Sequence, residues 1–263
     1  INLTSASHSL NFIGTGSETT GLAISEDVGV INVADGGEVR INIDNSLNGS
    51  TTLTADALTL GSKSIVFLSL GDDSRLMLDA APASSSGIIN DVYIEKNIFG
   101  SLMPTWTTYE SGNGVVEVTV AESSINSATS GDYIRVTDAV NVNMDNASHS
   151  IGALMVDTTE TMTGAGSLTV ESGQMLFWKD NTVDIGQINF GTEQAFVANA
   201  GINTINSVLT GSGGLRKLGD GILELTAANT YSGTTLIDAG QIMLTDSLLG
   251  DVNVAGNANL WIR

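Results

Sequence analysis

The chain has no cysteine among its 263 residues. Disulfides, thiolate metal sites and a thiol nucleophile are therefore excluded. Positive charge is scarce as well: nine Lys and Arg stand against 29 Asp and Glu, a formal charge of −20. Nucleic acid needs clustered Lys and Arg, so no nucleic-acid partner is expected. Anionic membrane surfaces are disfavoured for the same reason. No run approaches the roughly 20 apolar residues of a membrane helix, and no membrane insertion by this segment is expected. Proline occurs twice and aromatic residues make up 5%. The chain opens on Ile1 with neither a methionine nor a charged-then-apolar leader, which reads as a processed piece of a longer protein.

What is present is Gly, Thr, Ser, Asn and short apolar alternations. Apolar residues reach 41%, enough for a continuous core, and glycine numbers 30. Val39-Arg40-Ile41-Asn42-Ile43 points three apolar side chains one way and two polar ones the other. Val116–Val120 and Val140–Met144 alternate likewise, as do the shorter Leu58–Leu60, Leu76–Leu78 and Leu223–Leu225. Each run ends in a turn string such as "DGG", "GDD" or "DAG". The fold class is all-β.

Internal similarity narrows the architecture. "LTVESGQMLF" at Leu168–Phe177 resembles "TLIDAGQIML" at Thr235–Leu244, and "TGAGSL" at Thr163–Leu168 resembles "TGSGGL" at Thr210–Leu215. The offsets point to a unit of about 22 residues, in the range of solenoid repeats. Such a unit suits a coil of a parallel β-helix, with Val, Ile and Leu inside and small residues at the corners. Residues 1–263 are expected to form a single β-helix domain.

Gly211–Gly250 reads "GSGGLRKLGDGILELTAANTYSGTTLIDAGQIMLTDSLLG". This string resembles the passenger-associated transport repeat of bacterial autotransporters. Gly213, Gly214, Leu215, Lys217, Gly219 and Gly221 fit that family's pattern, followed by Leu223, Leu225, Asn229, Thr230, Tyr231, Gly233, Thr235 and Gly240. "PTWTTYESGNGVVEVTV" at Pro104–Val120 and the stretch Ser127–Asp157 look like further passages of the same proteins, so the resemblance covers roughly residues 100–250. It implies a right-handed parallel β-helix (β-solenoid) displayed outside a Gram-negative cell, extracellular or on the cell surface. The repeat occurs in proteins of different roles and marks scaffold rather than activity. The expectation is a non-catalytic structural or adhesive protein without a cofactor, with a surface glycan, a host protein or a second copy at the β-helix ends as partner. The alternatives are a polysaccharide-degrading β-helix enzyme and a phage tail fibre or spike.

The two histidines, His8 and His149, both lie in an Ala-Ser-His-Ser-apolar string, which makes them repeat positions rather than a site. Asp72, Asp73, Arg75 and Asp79 in "GDDSRLMLD" are the least poor candidates for a carboxylate pair or a calcium site, but no spacing matches a calcium loop. "SEDVG" at Ser25–Gly29 and "WKDNTVD" at Trp178–Asp184 read as solvated turns. Residues 80–114 carry both prolines and concentrate Tyr93, Phe99, Trp106 and Tyr109. Proline fits stacked coils poorly, so this stretch is expected to leave the helix as a loop or flap. Its aromatics would either anchor a glycan or partner or cover the core, and the family resemblance around Trp106 and Tyr109 favours the second.

Overall fold

A computed structural model describes residues 1–3, 7–14, 24–35, 37–45, 50–61, 64–71, 73–85, 88–89, 91–98, 101–120, 122–139, 142–248 and 250–263. The chain is all-β, and its strands stack in parallel as a β-solenoid. Among the described residues the one helical turn is a 3-10 turn at Ile125–Ser127. Two compact units are resolved: Ile1–Lys96 with Pro104–Val118, and Asn97–Met103 with Thr119–Arg263.

The first unit winds through three sheets. Sheet I stacks Asn2–Leu3, Ile31–Val33 and Leu58–Leu60. Sheet II stacks Ser7–Gly14, Glu38–Asn45, Ile65–Leu70 and Val92–Ile98, then continues into Ser101–Glu110 and Gly114–Glu117. Sheet III stacks Ile24–Asp27, Thr51–Ala55 and Ser74–Leu78. The coils here are long and uneven. Thr51 lies on Ser74 in the shorter kind, and His8 on Val39 in the longer. The alternation in Val39–Ile43 does what the sequence predicts: Val39, Ile41 and Ile43 are fully buried beside Val66 and Leu68. Antiparallel pairing occurs between Ser84 and Glu117, where Ser84–Ser85 pairs with Ile88–Ile89 and Ser101–Glu110 with Gly114–Glu117.

The second unit alternates between two sheets. Sheet IV stacks Tyr133–Thr137, Ala153–Asp157, Gln174–Phe177, Ala195–Asn199, Leu215–Leu218, Thr235–Ile237 and Val252–Val254. Sheet V stacks His149–Ile151, Met162–Val170, Asn181–Asn189, Ile202–Ile205, Ile222–Leu225, Gln241–Leu244 and Asn259–Ile262, with Val208–Thr210 also pairing on Asn181–Asn189. Ile134, Leu154, Met175, Val197, Lys217, Ile237 and Val254 form one column across sheet IV. Neighbours in this column are closer in sequence than stacked residues of the first unit, and their spacing approaches the solenoid unit read from the sequence. The longer coils of the first unit depart from it because a third strand and a third corner have to be accommodated.

Two expectations need correction. The strings "LTVESGQMLF" and "TLIDAGQIML" do not sit one above the other. The first turns from sheet V into sheet IV and the second from sheet IV into sheet V. A strand–acid–small–Gly–strand string serves both corners of a two-sheet coil, and Gly173 (φ 72°) and Gly240 (φ 66°) take the same left-handed turn in each. Of the run at Val140–Met144, residues 142–144 lie within the described residues; they keep the alternation, with Val142 and Met144 in the core, but form no strand. That of Val116–Val120 is in a strand only as far as Glu117.

Candidate functional site

The coil at 215–242 is where the sequence is most specific, and its interior holds an ammonium group. In the strand Leu215–Leu218, Leu215 points into the core and so does Lys217, between Val197 and Ile237 in the column above. Lys217 is fully buried. Its stem fills the space a valine or isoleucine fills in the neighbouring coils, and its Nζ turns towards the corner. There it donates to the carbonyl oxygens of Leu218 (2.7 Å), Gly219 (2.7 Å) and Ala239 (3.3 Å). Three donors meet three acceptors, which is what makes a buried ammonium tolerable. Burial pushes its pKa down to about 7, against the pull of Asp220. A neutral amine has only two N–H groups and would leave one of these carbonyls without its donor.

The same corner is closed by glycine on backbone. A Cβ on Gly221 would lie 2.3 Å from the Gly201 carbonyl oxygen, and one on Gly240 would lie 2.4 Å from that of Gly221. Gly201, Gly221 and Gly240 thus mark the same corner in three successive coils. Below them the interior is polar: Asn199 donates to Gly201 O, Ile222 O and Asn203 Oδ1, and Asn203 donates to Lys179 O. At the opposite corner the Tyr231 hydroxyl pairs with Thr235 Oγ1 at 2.8 Å, both side chains buried, and Asn229 Oδ1 accepts from the Leu209 N–H. Burial pushes the Tyr231 phenol up to about 12. On the outside of the strand, Arg216 Nε donates to Asp238 Oδ2 at 2.5 Å. These contacts make Lys217, Gly219, Gly221, Asn229, Tyr231, Thr235 and Gly240 of the quoted repeat parts of a corner-closing device. Lys217 is sealed from solvent and presents no nucleophile, and among the described residues no group of three or more His, Asp or Glu is placed to hold a metal ion.

The other residues singled out by sequence are dispersed. Tyr93 (1% exposed) and Trp106 (0%) are buried, so neither ring offers a face to a ligand in this structure. The half-buried Tyr109 donates its hydroxyl to Leu78 O, and Phe99 lies outside the described residues. Asp72 also lies outside them. Asp73 is an exposed turn residue with φ 56°, Asp79 is exposed, and Arg75 reaches Gly112 O at 3.4 Å. His149 is bonded through Nε2 to Asp145 Oδ1 at 2.8 Å in sheet V, whereas His8 belongs to sheet II of the other unit. What sequence reading missed is a network across three coils. Asp157 pairs with both Arg135 (2.5 Å) and Lys179 (3.3 Å), Lys179 reaches Asp138 (3.4 Å), and the Arg135 guanidinium lies 5.4 Å from the Trp178 ring centroid. The Thr158 hydroxyl and Lys179 hold the Asp138 carboxyl below its ordinary pKa. No local string signals this network, because its members belong to successive coils and meet only through the stacking.

The passenger-associated-transport-repeat family model matches residues 215–242. The chain is similar to the adhesin BmaC autotransporter of Brucella suis biovar 1 (strain 1330), at 36% identity over 115 residues. That stretch covers 41% of this chain and 3% of the relative, so the chain corresponds to a small part of that protein's length. No solved structure matches the chain.

Proposed function

We propose that the chain is a non-catalytic length of an autotransporter passenger, exposed at a bacterial cell surface or released from it, whose outer faces serve adhesion. The observation that carries this reading is the coil at 215–242. Its matched residues are spent on holding Lys217 and closing corners, so they build a rigid rod segment and leave the outward side chains for contact. The similarity to a protein named as an adhesin supports the adhesive role.

The test is to place the full chain ahead of the translocating barrel of an autotransporter in a non-adherent Gram-negative host. Digestion of intact cells by added protease reports display, and attachment to mammalian cell monolayers reports adhesion. Display with a clear gain in attachment is expected. A chain that reaches the surface with no gain over the barrel alone would remove the adhesive role. Turnover of a polysaccharide by the purified chain, lost when Asp72 and Asp73 are both changed to Asn, would replace it with the enzymatic reading.

A further inference from the structure

One half of sheet V in the second unit carries an outward face built of two adjacent uncharged columns. Ser150, Thr169, Asn189 and Thr210 are register partners in four successive coils and form one outward column. Ser167, Gln187 and Val208 form a second, two positions along the strands. All seven are partly exposed. The residues that alternate with them, Leu168, Ile188 and Leu209, are fully buried, which fixes the direction of both columns. Neither column contains a charge, in a chain of formal charge −20. Charged side chains occur at outward positions elsewhere, with Glu38 and Arg40 on sheet II, Arg135 and Arg216 on sheet IV, and Asp184 and Glu224 on other parts of sheet V. A carboxylate stands at the edge of this face, that of Glu171, held by Ser130 and Ser150 at 2.6 Å each.

We propose that these two columns bind a neutral, extended polysaccharide lying along the stacking direction. This inference rests on the adhesive reading and names the ligand class and the face. Hydroxyl and amide groups both donate and accept, as sugar hydroxyls do, and they discriminate against charged polymers by offering no counter-charge. Coils repeat at about 4.8 Å, close to the advance of one hexose in an extended 1,4-linked chain, so each sugar meets the side chains of one coil. The face is tied together by its own side chains: Gln187 Nε2 donates to Thr210 Oγ1 at 3.0 Å, and Asn189 Oδ1 accepts from the Gly191 N–H at 2.9 Å. Ser167 Oγ bonds Ser148 Oγ at 2.8 Å, extending the hydroxyl row by one coil.

The experiment is calorimetric titration of the full chain with cellohexaose, mannohexaose, chitohexaose and, as the charged comparator, hexagalacturonate. At least one neutral hexamer is expected to bind, with an affinity independent of ionic strength, and hexagalacturonate is not. Thr169→Arg and Gln187→Glu, both on partly exposed positions, are each expected to weaken binding by about tenfold or more. Thr182→Arg, on the other half of sheet V, should leave it unchanged. Thermal unfolding of each variant reports whether the coils are intact, and Gln187→Ala provides a milder second probe. Failure of all three neutral hexamers to bind, preference for the uronate, or binding indifferent to Thr169→Arg and Gln187→Glu would each overturn the proposal. Attachment to cell monolayers without any glycan binding would overturn this inference alone, while glycan binding without attachment would remove only the cell-adhesive role.

Discussion

The two units solve one problem, stacking parallel strands without exposing backbone at the corners, in different ways. The first spreads each coil over three sheets, so that His8 meets its stacking partner only at Val39. Side chains do much of the work there: Asn32 Nδ2 donates to Asn2 Oδ1, Asn42 Nδ2 to Asn11 Oδ1, and the Asp44 carboxylate lies against Gly71. The second unit folds each coil between two sheets, and the next partner comes sooner: Leu215 lies on Thr235, and Thr235 on Val252. At Gly221 and Gly240 its corners bring backbone against backbone, as Gly61 does against Ala34 and Asp35 in the first unit. Glycine then recurs in the same corner of successive coils, and the carbonyl oxygens crowded there are gathered by Lys217. The recognisable repeat is the residue set that closes the corner around Lys217.

The largest expected effect breaks that distinction at one atom. In Gly221→Ala the new methyl would meet the Gly201 carbonyl oxygen and the Ala200 carbonyl carbon, at 2.3 and 2.8 Å, both backbone. In Gly71→Ala it would meet first the end of the Asp44 side chain, at 2.4 Å, which can rotate away. We expect Gly221→Ala to cost about 3 kcal/mol or more, and Gly71→Ala about 1 kcal/mol. Hydrogen exchange followed strand by strand measures both, with the loss of protection confined to the unit that carries the change. Equal costs would show that it does not matter whether the crowded neighbour is fixed backbone or a side chain that can rotate.

Next in size is Lys217→Met, which keeps the stem and leaves three carbonyls without their donor. A loss of about 2–3 kcal/mol at neutral pH is expected, because orphaned buried acceptors outweigh the relief of removing a buried charge. The pH dependence has a definite sign. The unfolded lysine titrates near 10.5 and the folded one at about 7, so between those values the unfolded chain binds more protons. Stability therefore rises with pH across that window, and below pH 7 the cost of burying the charge is present in full. The gap between the native chain and Lys217→Met should widen as pH is raised from 7 towards 10. A gap that stays flat would mean that the carbonyl cage and Asp220 cancel the effect of burial.

Much of this architecture is legible in the sequence because period-2 alternation and corner glycines are local signals. Val39–Ile43 and Leu223–Leu225 lie where alternation places them, and Gly173 and Gly240 turn the chain as expected. The equivalence of corners is not local. A corner string reads alike whether it leads into sheet IV or sheet V, so matching strings could not give the register. Lys217 shows the same limit: the inward position is legible from Leu215 two residues earlier, but the carbonyl of Ala239 that completes its cage belongs to the following coil. The Trp178 network and the outward columns of sheet V are likewise invisible until coils are stacked.

A smaller effect sharpens the comparison at buried hydroxyls. Tyr231→Phe removes the partner of Thr235 Oγ1 inside the second unit, and about 1–2 kcal/mol should be lost because a buried hydroxyl is left with one bond fewer. The smallest expected effect is at the surface of the first unit. Arg40 pairs with Glu38 and with Glu95 (3.2 Å) and lies 5.0 Å over the Phe67 ring. Its side chain is 38% exposed, so solvent screens both pairs, and the ring contact adds only a fraction of a kcal/mol at such a site. Arg40→Ala should therefore cost about 0.5–1 kcal/mol, less in high salt. Arg216 makes the same kind of pair with Asp238 but is only 6% exposed. Arg216→Ala leaves Asp238 without that partner on a largely covered strand, and its cost should be several times larger and nearly independent of salt. Thermal unfolding of the two variants at low and high ionic strength makes the measurement. A salt-sensitive Arg216 or a salt-insensitive Arg40 would reverse the contrast between a screened ion pair on the first unit and a covered one on the second.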